Sequence, residues 1–158
     1  MSPDKALPST KKIMVFDDDD AILQLLKYSF ESEGFQVRTG RDGSNILKKA
    51  VEYRPDLIVS DLMMPGGGGY EVLRLLQSDD LTRKIPVIMV TGFSMDSSTK
   101  TMIQQEPNLA GFFEKPLRQE RLIQKTHQLL NTKSMQEQIQ ERQNQVPESD
   151  DPMGRNFF

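Results

Sequence analysis

Charged and hydroxyl side chains follow short apolar runs at four places in this chain. Asp17 and Asp18 follow the run KIMVF, Asp61 comes just after the run LIV, Thr91 follows PVIMV and Lys115 follows AGFF. Unbroken apolar runs of this length are typical of buried parallel strands. The chain therefore offers carboxylates, a hydroxyl and an ammonium where four strands are expected to end.

These residue types suit phosphoryl transfer. A carboxylate that attacks a phosphoryl group needs a cation beside it, because two anions must approach each other. Mg²⁺ prefers oxygen ligands and keeps several waters, and Asp17 and Asp18 can supply such ligands. Lys115 offers a second positive charge, and Thr91 offers a hydroxyl that can donate to a phosphoryl oxygen. We interpret Asp61 as the candidate phosphoryl acceptor.

The stretch after Asp61 predicts a loop. Pro65 and the four glycines from Gly66 to Gly69 disfavour regular structure, so the Asp61 carboxylate is expected to project from a strand end. No Gly-Lys-Ser/Thr sequence follows these glycines, which argues against a nucleotide-binding loop.

Five strand patterns alternate with five helix patterns between residues 11 and 131. The second strand is predicted at 35–39, the fourth at 86–90 and the fifth at 110–113. The acidic row after the first strand is expected to cap the first helix. We expect Asp42 to open the second helix and Pro116 to open the last one. This alternation predicts βαβ crossovers, hence a parallel sheet with helices on both faces. The helix within 94–106 has the weakest periodicity, and we expect it to be the most mobile.

Ligands bind such a sheet beyond the carboxyl ends of its strands. Because the polar groups named above follow strand ends, we expect them to meet at this edge. His127, the only histidine, lies in the middle of the last predicted helix and is expected to be a solvated position rather than part of a site.

Composition excludes several other functions. The net charge of -3, without a block of lysines and arginines, argues against direct DNA binding and against binding to an anionic membrane. The chain has no cysteine, which excludes disulfides and thiolate metal sites. The N-terminus lacks the apolar core of a signal peptide, and no segment has the apolar length of a membrane span. We expect a cytoplasmic protein.

The sequence predicts one folded domain with two polar flanks. Residues 1–10 are interpreted as a flexible lead-in, 11–131 as the domain, and 132–158 as a frayed helix followed by a disordered tail. A faint apolar repeat after Leu130 is too short and too polar to indicate a coiled coil.

Four motifs, FDDDD, VSDLMMPG, VTG and FFEKP, resemble in order and spacing the receiver domain of two-component response regulators. The resemblance covers residues 11–131, and its nearest type is the stand-alone, chemotaxis-regulator-like receiver. It implies a doubly wound, flavodoxin-like α/β fold with five parallel strands in the order 2-1-3-4-5. It also implies a phosphoprotein with a 4-aspartylphosphate at Asp61, and Mg²⁺ held by Asp17, Asp18, Asp61 and the backbone carbonyl of Met63.

The same resemblance implies a switch. Thr91 and Lys115 form the switch pair, and Phe112 turns inward when Thr91 moves. The Lys115–Pro116 bond is implied to be cis. The phosphoryl group would come from a sensor histidine kinase or a phosphotransfer protein, and the face made by helix four, strand five and helix five would signal to a downstream protein partner. The chain would be no enzyme beyond its own phosphoryl transfer and slow autodephosphorylation.

Several residues depart from the common pattern of the family. Asp20 stands where a proline is common, and Phe112 lacks the hydroxyl of the commoner tyrosine. Met63 and Phe93 flank the phosphoryl site by resemblance, and both are apolar. Because neither side chain can orient an attacking water, we predict slow autodephosphorylation.

Two alternatives remain open from the sequence. One is a phosphoaspartyl hydrolase resembling the haloacid dehalogenase superfamily, with Asp17 as nucleophile and Asp19 as acid/base. The chain lacks a threonine after that motif and a cap domain. The other is a receiver that is never phosphorylated and acts as a binding scaffold.

Overall fold

A computed structural model of the chain describes residues 4–64, 67–92 and 95–145. Five strands form one sheet: β1 (Lys12–Phe16), β2 (Gln36–Gly40), β3 (Leu57–Asp61), β4 (Val87–Thr91) and β5 (Leu109–Glu114). Neighbouring strands are all parallel, and their order is β2-β1-β3-β4-β5. This confirms the predicted fold class and the order 2-1-3-4-5.

Helices cover both faces of the sheet, as predicted. They are α1 (Asp20–Glu33), α2 (Ile46–Tyr53), α3 (Gly69–Gln77), α4 (Ser97–Gln104), α5 (Gln119–Leu130) and α6 (Met135–Gln145). One buried apolar cluster joins the sheet to α2, α3 and α4, and a second joins it to α1 and α5. Strands β3 and β4 are buried along their whole length because both have neighbours on each side, whereas the edge strands β2 and β5 are partly exposed.

The ends of α1 follow from local sequence. The Asp19 side chain accepts a hydrogen bond from the backbone N–H of Ala21 at 2.9 Å and caps the helix, as expected for the acidic row after β1. Gly34 ends the helix in the left-handed conformation, with φ of 107°. Glycine adopts this conformation without strain, so Gly34 is a favourable residue for ending the helix.

Two helices begin later than predicted. Asp42 does not open α2, because its carboxylate accepts hydrogen bonds from the backbone N–H and the hydroxyl of Ser44 and so stabilises a turn ahead of the helix. The helix begins at Ile46. Pro116 does not open α5 either, because Arg118 is still extended and the helix begins at Gln119.

The segment after Asp61 is more ordered than the glycine run predicts. Met63–Met64 pairs with Gly67–Gly68 as two short antiparallel strands, and Gly69 is the first residue of α3. A side chain at Gly69 would clash, since its Cβ would lie 2.1 Å from a Leu62 methyl carbon. Glycine here permits close packing rather than a loop; Pro65 and Gly66 lie outside the described residues.

The two flanks of the domain contact each other. Ala6 pairs with Thr132 in a parallel bridge: the Ala6 N–H donates to the Asn131 carbonyl at 2.9 Å, and the Lys133 N–H donates to the Ala6 carbonyl at 2.9 Å. The Lys5 ammonium also contacts the Glu137 carboxylate at 2.6 Å. We call this contact between residues 5–6 and 131–137 the terminal clasp.

The terminal clasp changes the interpretation of both flanks. Residues 5–10 are not the flexible lead-in predicted from sequence, because they are held by the clasp and by a 3₁₀ turn at Pro8–Thr10. The last helix does not run on past Leu130, since Asn131 is left-handed and α6 begins anew at Met135. The predicted disordered tail, 146–158, lies outside the described residues. Among those described, no helix is both long and apolar enough to cross a bilayer.

Candidate functional site

The carboxyl edge of the sheet brings the predicted polar residues together. Asp17 directly follows β1 and is 2% exposed, whereas Asp61 ends β3 and is 8% exposed. Lys115 directly follows β5, and its ammonium donates hydrogen bonds to Asp17 Oδ2 and Asp61 Oδ2, each at 2.9 Å. Thr91, at the end of β4, is buried. Strand register explains this convergence, because parallel strands end at the same edge.

Backbone hydrogen bonds fix these positions. The N–H of Asp17 donates to the Gly40 carbonyl at 3.1 Å, and the N–H of Lys115 donates to the Thr91 carbonyl at 2.8 Å. Asp61 Oδ1 accepts the Met63 N–H at 2.9 Å. The Lys115–Pro116 bond is cis, as the family resemblance implied. Each charged side chain therefore projects from a rigid strand end.

Two buried carboxylates share one ammonium at this edge. Burial raises the pKa of Asp17, and the nearby charge of Asp61 acts in the same direction, against the hydrogen bonds from Lys115 and from the Asp19 N–H. Burial alone would lower the pKa of Lys115, but its hydrogen bonds to Asp17 and Asp61 outweigh burial and raise that pKa above 10.5. Lys115 is therefore charged at neutral pH, and ionising both carboxylates leaves an excess of negative charge.

A third carboxylate adds to that excess. Asp17, Asp18 and Asp61 each present an oxygen within 4.8 Å of the others. Asp18 is exposed, whereas the other two are buried, so the group opens to solvent on one side. An all-oxygen, strongly anionic group with one open side fits a hard divalent cation such as Mg²⁺, which keeps several of its waters. The side chains present thus fit the predicted metal.

Residues 13–127 match the sequence model of the response regulator receiver domain. The chain belongs to this family. Curated relatives include the response regulator PleD of Caulobacter vibrioides, 32% identical over 132 residues, which are 84% of this chain and 29% of PleD. The polar-differentiation regulator DivK of Brucella anthropi is 32% identical over 114 residues, 72% of this chain and 91% of DivK. The chain spans less than a third of PleD but nearly all of DivK.

Solved structures agree with this assignment. The chemotaxis response regulator CheY4 of Vibrio cholerae superposes with a TM-score of 0.68 at 28% identity, over 76% of this chain and 98% of CheY4. The receiver domain of a response regulator is thereby established for residues 13–127, from β1 into α5.

Thr91 and Phe112, which the resemblance implies move together in the switch, lie on the adjacent strands β4 and β5. Asp61 is in register with Val90, so Thr91 lies one residue further along the neighbouring strand. Phe112 on β5 is partly buried against the cluster under α4, and the Lys100 ammonium lies 5.4 Å from its ring centroid. Phe112 is thus neither fully inside nor fully outside the core.

Of the two apolar residues expected to flank the phosphoryl site, the structure describes Met63 but not Phe93. The Met63 side chain is 58% exposed beside Asp61, and the role of its carbonyl in holding a metal stays a prediction. Phe93 lies outside the described residues, so its place next to the site is also still a prediction.

Sequence reasoning was wrong about the environment of His127. The residue is 9% exposed, with Nε2 at 2.8 Å from Glu33 Oε1 and Nδ1 at 2.8 Å from Thr132 Oγ1. The helical spacing to Ile123 and Leu130 places His127 toward the packed face of α5, and that signal was present in the sequence. The residue is remote from the acidic edge, so excluding it from that site agrees with the fold.

Proposed function

We propose that this receiver domain accepts a phosphoryl group onto Asp61 from a sensor histidine kinase or a phosphotransfer protein. An Asp61 oxygen attacks phosphorus, the P–N bond of the donor phosphohistidine breaks, and the freed imidazole takes up a proton. The observation that carries this proposal is the shared ammonium: Lys115 contacts both Asp61 and Asp17 at 2.9 Å at a strand end. The Lys115 ammonium can stay in contact with Asp61 during transfer and stabilise the negative charge that the phosphoryl group adds there.

We also propose a Mg²⁺ site made by Asp17, Asp18 and Asp61, with the Met63 carbonyl as a further ligand. The clustered carboxylate oxygens described above support it. When bound, the cation neutralises negative charge on the transferring oxygens. The protein's own contribution is to hold these oxygens in place through β1, β3 and their backbone hydrogen bonds.

The signalling output in this proposal is a change at the face made by α4, β5 and α5. New phosphoryl oxygens beside Lys115 attract the Thr91 hydroxyl, and the partly buried Phe112 moves into the space that Thr91 leaves. Helix α4 suits such a change, because Ile103 is its one buried residue. A downstream protein partner would recognise the altered face.

Autodephosphorylation is slow in this proposal. The exposed Met63 side chain lies beside the acceptor and offers no group that orients a water for in-line attack. The lifetime of the adduct after removal of the donor measures this directly. A half-life of seconds in the presence of Mg²⁺ would contradict it.

The experiment that tests the proposed function is intact-protein mass spectrometry after incubation with acetyl phosphate, with and without Mg²⁺. We expect one hydroxylamine-labile phosphoryl adduct that needs both Mg²⁺ and Asp61, so that Asp61→Asn abolishes it. Asp20→Asn is the matched control, because Asp20 belongs to the same acidic row but pairs with Arg41 outside the site. Refusal of every phosphodonor would favour the scaffold alternative.

The hydrolase alternative has less support. Its acid/base, Asp19, already accepts the Ala21 N–H as the cap of α1, and its nucleophile, Asp17, is bound to Lys115. Turnover of a small phosphomonoester would favour it.

We further propose a cytoplasmic location without direct DNA binding, because histidine kinases take their phosphoryl group from cytoplasmic ATP and the chain is net acidic.

A further inference from the structure

A groove of about 420 Å³ lies where α4, β5 and the start of α5 meet. Three cationic side chains, Lys100, Arg118 and Arg121, and two aromatic rings, Phe112 and Phe113, contribute to its lining. We call it the α4–β5–α5 groove. The three cations give the groove a positive rim, in a chain whose net charge is -3.

The positive rim is incompletely paired. The Lys100 ammonium lies 3.7 Å from a Glu114 oxygen, and that carboxylate is itself mostly exposed. Arg118 and Arg121 are both exposed, and neither makes an ion pair within the part of the chain that the structure describes. The groove therefore has cationic capacity for an acidic ligand.

The chain itself carries a segment of complementary composition. Residues 146–158 (VPESDDPMGRNFF) contain three carboxylates, one guanidinium and two phenylalanines. Among the described residues, the lining of the groove has the inverse charge pattern, with three cations and one carboxylate, that of Glu114. The segment and the groove both carry aromatic rings, and packing of such rings against each other is favourable.

The segment is long enough to reach the groove. An extended chain spans up to about 3.3 Å per residue, so Asp151 can lie up to roughly 20 Å from Gln145, and Phe157 up to roughly 40 Å. Helix α6 carries the chain about 16 Å away from Met135 to Gln145 at 1.5 Å per residue, which is less than the reach of Phe157. Helix α6 starts beside α5, because Met135 lines a neighbouring cavity together with Arg118.

We propose that residues 146–158 dock in the α4–β5–α5 groove, with their carboxylates against Arg118 and Arg121 and their phenylalanines against Phe112. Because the ion pairs lie at the surface, the docked state is weak and sensitive to salt. Docking does not depend on phosphoryl transfer to Asp61. Its consequence, competition with a downstream partner for the same face, rests on the proposed function.

The absence of cysteine makes a direct test possible in the full chain. Asn156→Cys gives a single attachment point for a nitroxide spin label, which broadens the NMR signals of nearby amides. We expect strong broadening confined to residues 98–102, 111–114 and 117–122, relative to the same sample with the label reduced. Uniform broadening, or broadening on another face, would overturn the proposal.

Charge variants separate docking from chance proximity. Arg118→Glu combined with Arg121→Glu should reduce the broadening at β5 by more than about half, and 0.5 M salt should do the same. Lys48→Glu is the control, because Lys48 is an exposed lysine on α2, and this variant should leave the broadening unchanged. Broadening that survives the double variant would contradict the proposed contacts. A mixture of isotope-labelled protein without the spin label and spin-labelled protein without the isotope should show none; broadening there would assign the groove to a second copy instead.

Discussion

The terminal clasp joins the segment before β1 to the segment after α5, so it lies toward the amino edge of the sheet, opposite the carboxyl edge. Both edges hold ion pairs, but they balance charge differently. At the carboxyl edge, Asp17 and Asp61 share the single ammonium of Lys115. At the amino edge, the terminal clasp matches Lys5 with Glu137, one cation to one acid. Matched charges stabilise a contact, whereas buried surplus charge is destabilising until a ligand neutralises it.

The pKa values express the same contrast. Burial raises the pKa of Asp17, so the folded protein disfavours its ionised form. The hydrogen bond from Lys5 lowers the pKa of Glu137, with a second contribution from the Ser134 N–H, so the folded protein favours its ionised form. The carboxyl edge is arranged to bind a cation, and the amino edge to hold the two flanks of the domain together.

Removing the shared cation should give the largest effect on stability. Lys115→Gln leaves two buried carboxylates without their ammonium, and we expect the free energy of unfolding at pH 7 to fall by about 2–4 kcal/mol in EDTA. Mg²⁺ should recover part of this loss. Urea denaturation with and without Mg²⁺ measures both.

Lys5→Gln is the matched control at the other edge. This side chain is more exposed, so its loss should lower the free energy of unfolding by less than about 1 kcal/mol, and Mg²⁺ should not change the result. Equal losses for the Lys115 and Lys5 variants would show that the two ion pairs do not differ in charge balance.

Neutralising Asp17 should raise the free energy of unfolding, and by less than the loss of Lys115 lowers it. Since the folded pKa of Asp17 lies above 3.8, ionised Asp17 destabilises the fold at neutral pH, and this penalty disappears as pH falls through the folded pKa. We expect Asp17→Asn to raise stability at pH 7 in EDTA by on the order of 1 kcal/mol. In melts across a pH series, the gain should shrink as pH falls through the folded pKa and vanish below pH 3.8; a constant gain would contradict this prediction.

The smallest effect is expected for Glu137→Gln. Because the folded pKa of Glu137 lies below 4.5, its ionised form stabilises the clasp above pH 4.5, and this contribution is lost as pH falls through the folded pKa. The variant should be less stable than the native chain by roughly 0.5 kcal/mol at pH 7, with no difference in strong acid. The same pH series measures the difference in stability between the variant and the native chain. A difference that grows as pH falls would refute this prediction.

The acidic edge was predictable from sequence because apolar runs mark the strands. Once Asp17, Asp61 and Lys115 each follow a strand in a parallel sheet, geometry brings them to one edge. The convergence of four motifs therefore predicted both the fold and the neighbours of Asp61.

The terminal clasp was not predictable in this way. Lys5 and Glu137 are 132 residues apart and belong to polar segments with at most a faint apolar repeat, so nothing local marks them as partners. The bridge between Ala6 and Thr132 uses backbone atoms, which carry no sequence signal. The burial of His127 depends on Glu33 at the end of α1, a contact set by how two helices pack.

The most direct test of Asp61 as the acceptor is to locate the phosphoryl group chemically. Borohydride reduces an aspartyl phosphate to homoserine and releases phosphate, so peptide sequencing by mass spectrometry identifies the modified residue. After treatment with acetyl phosphate and Mg²⁺, we expect homoserine at position 61 and at no other aspartate. Homoserine at position 17 would contradict it and favour the hydrolase alternative.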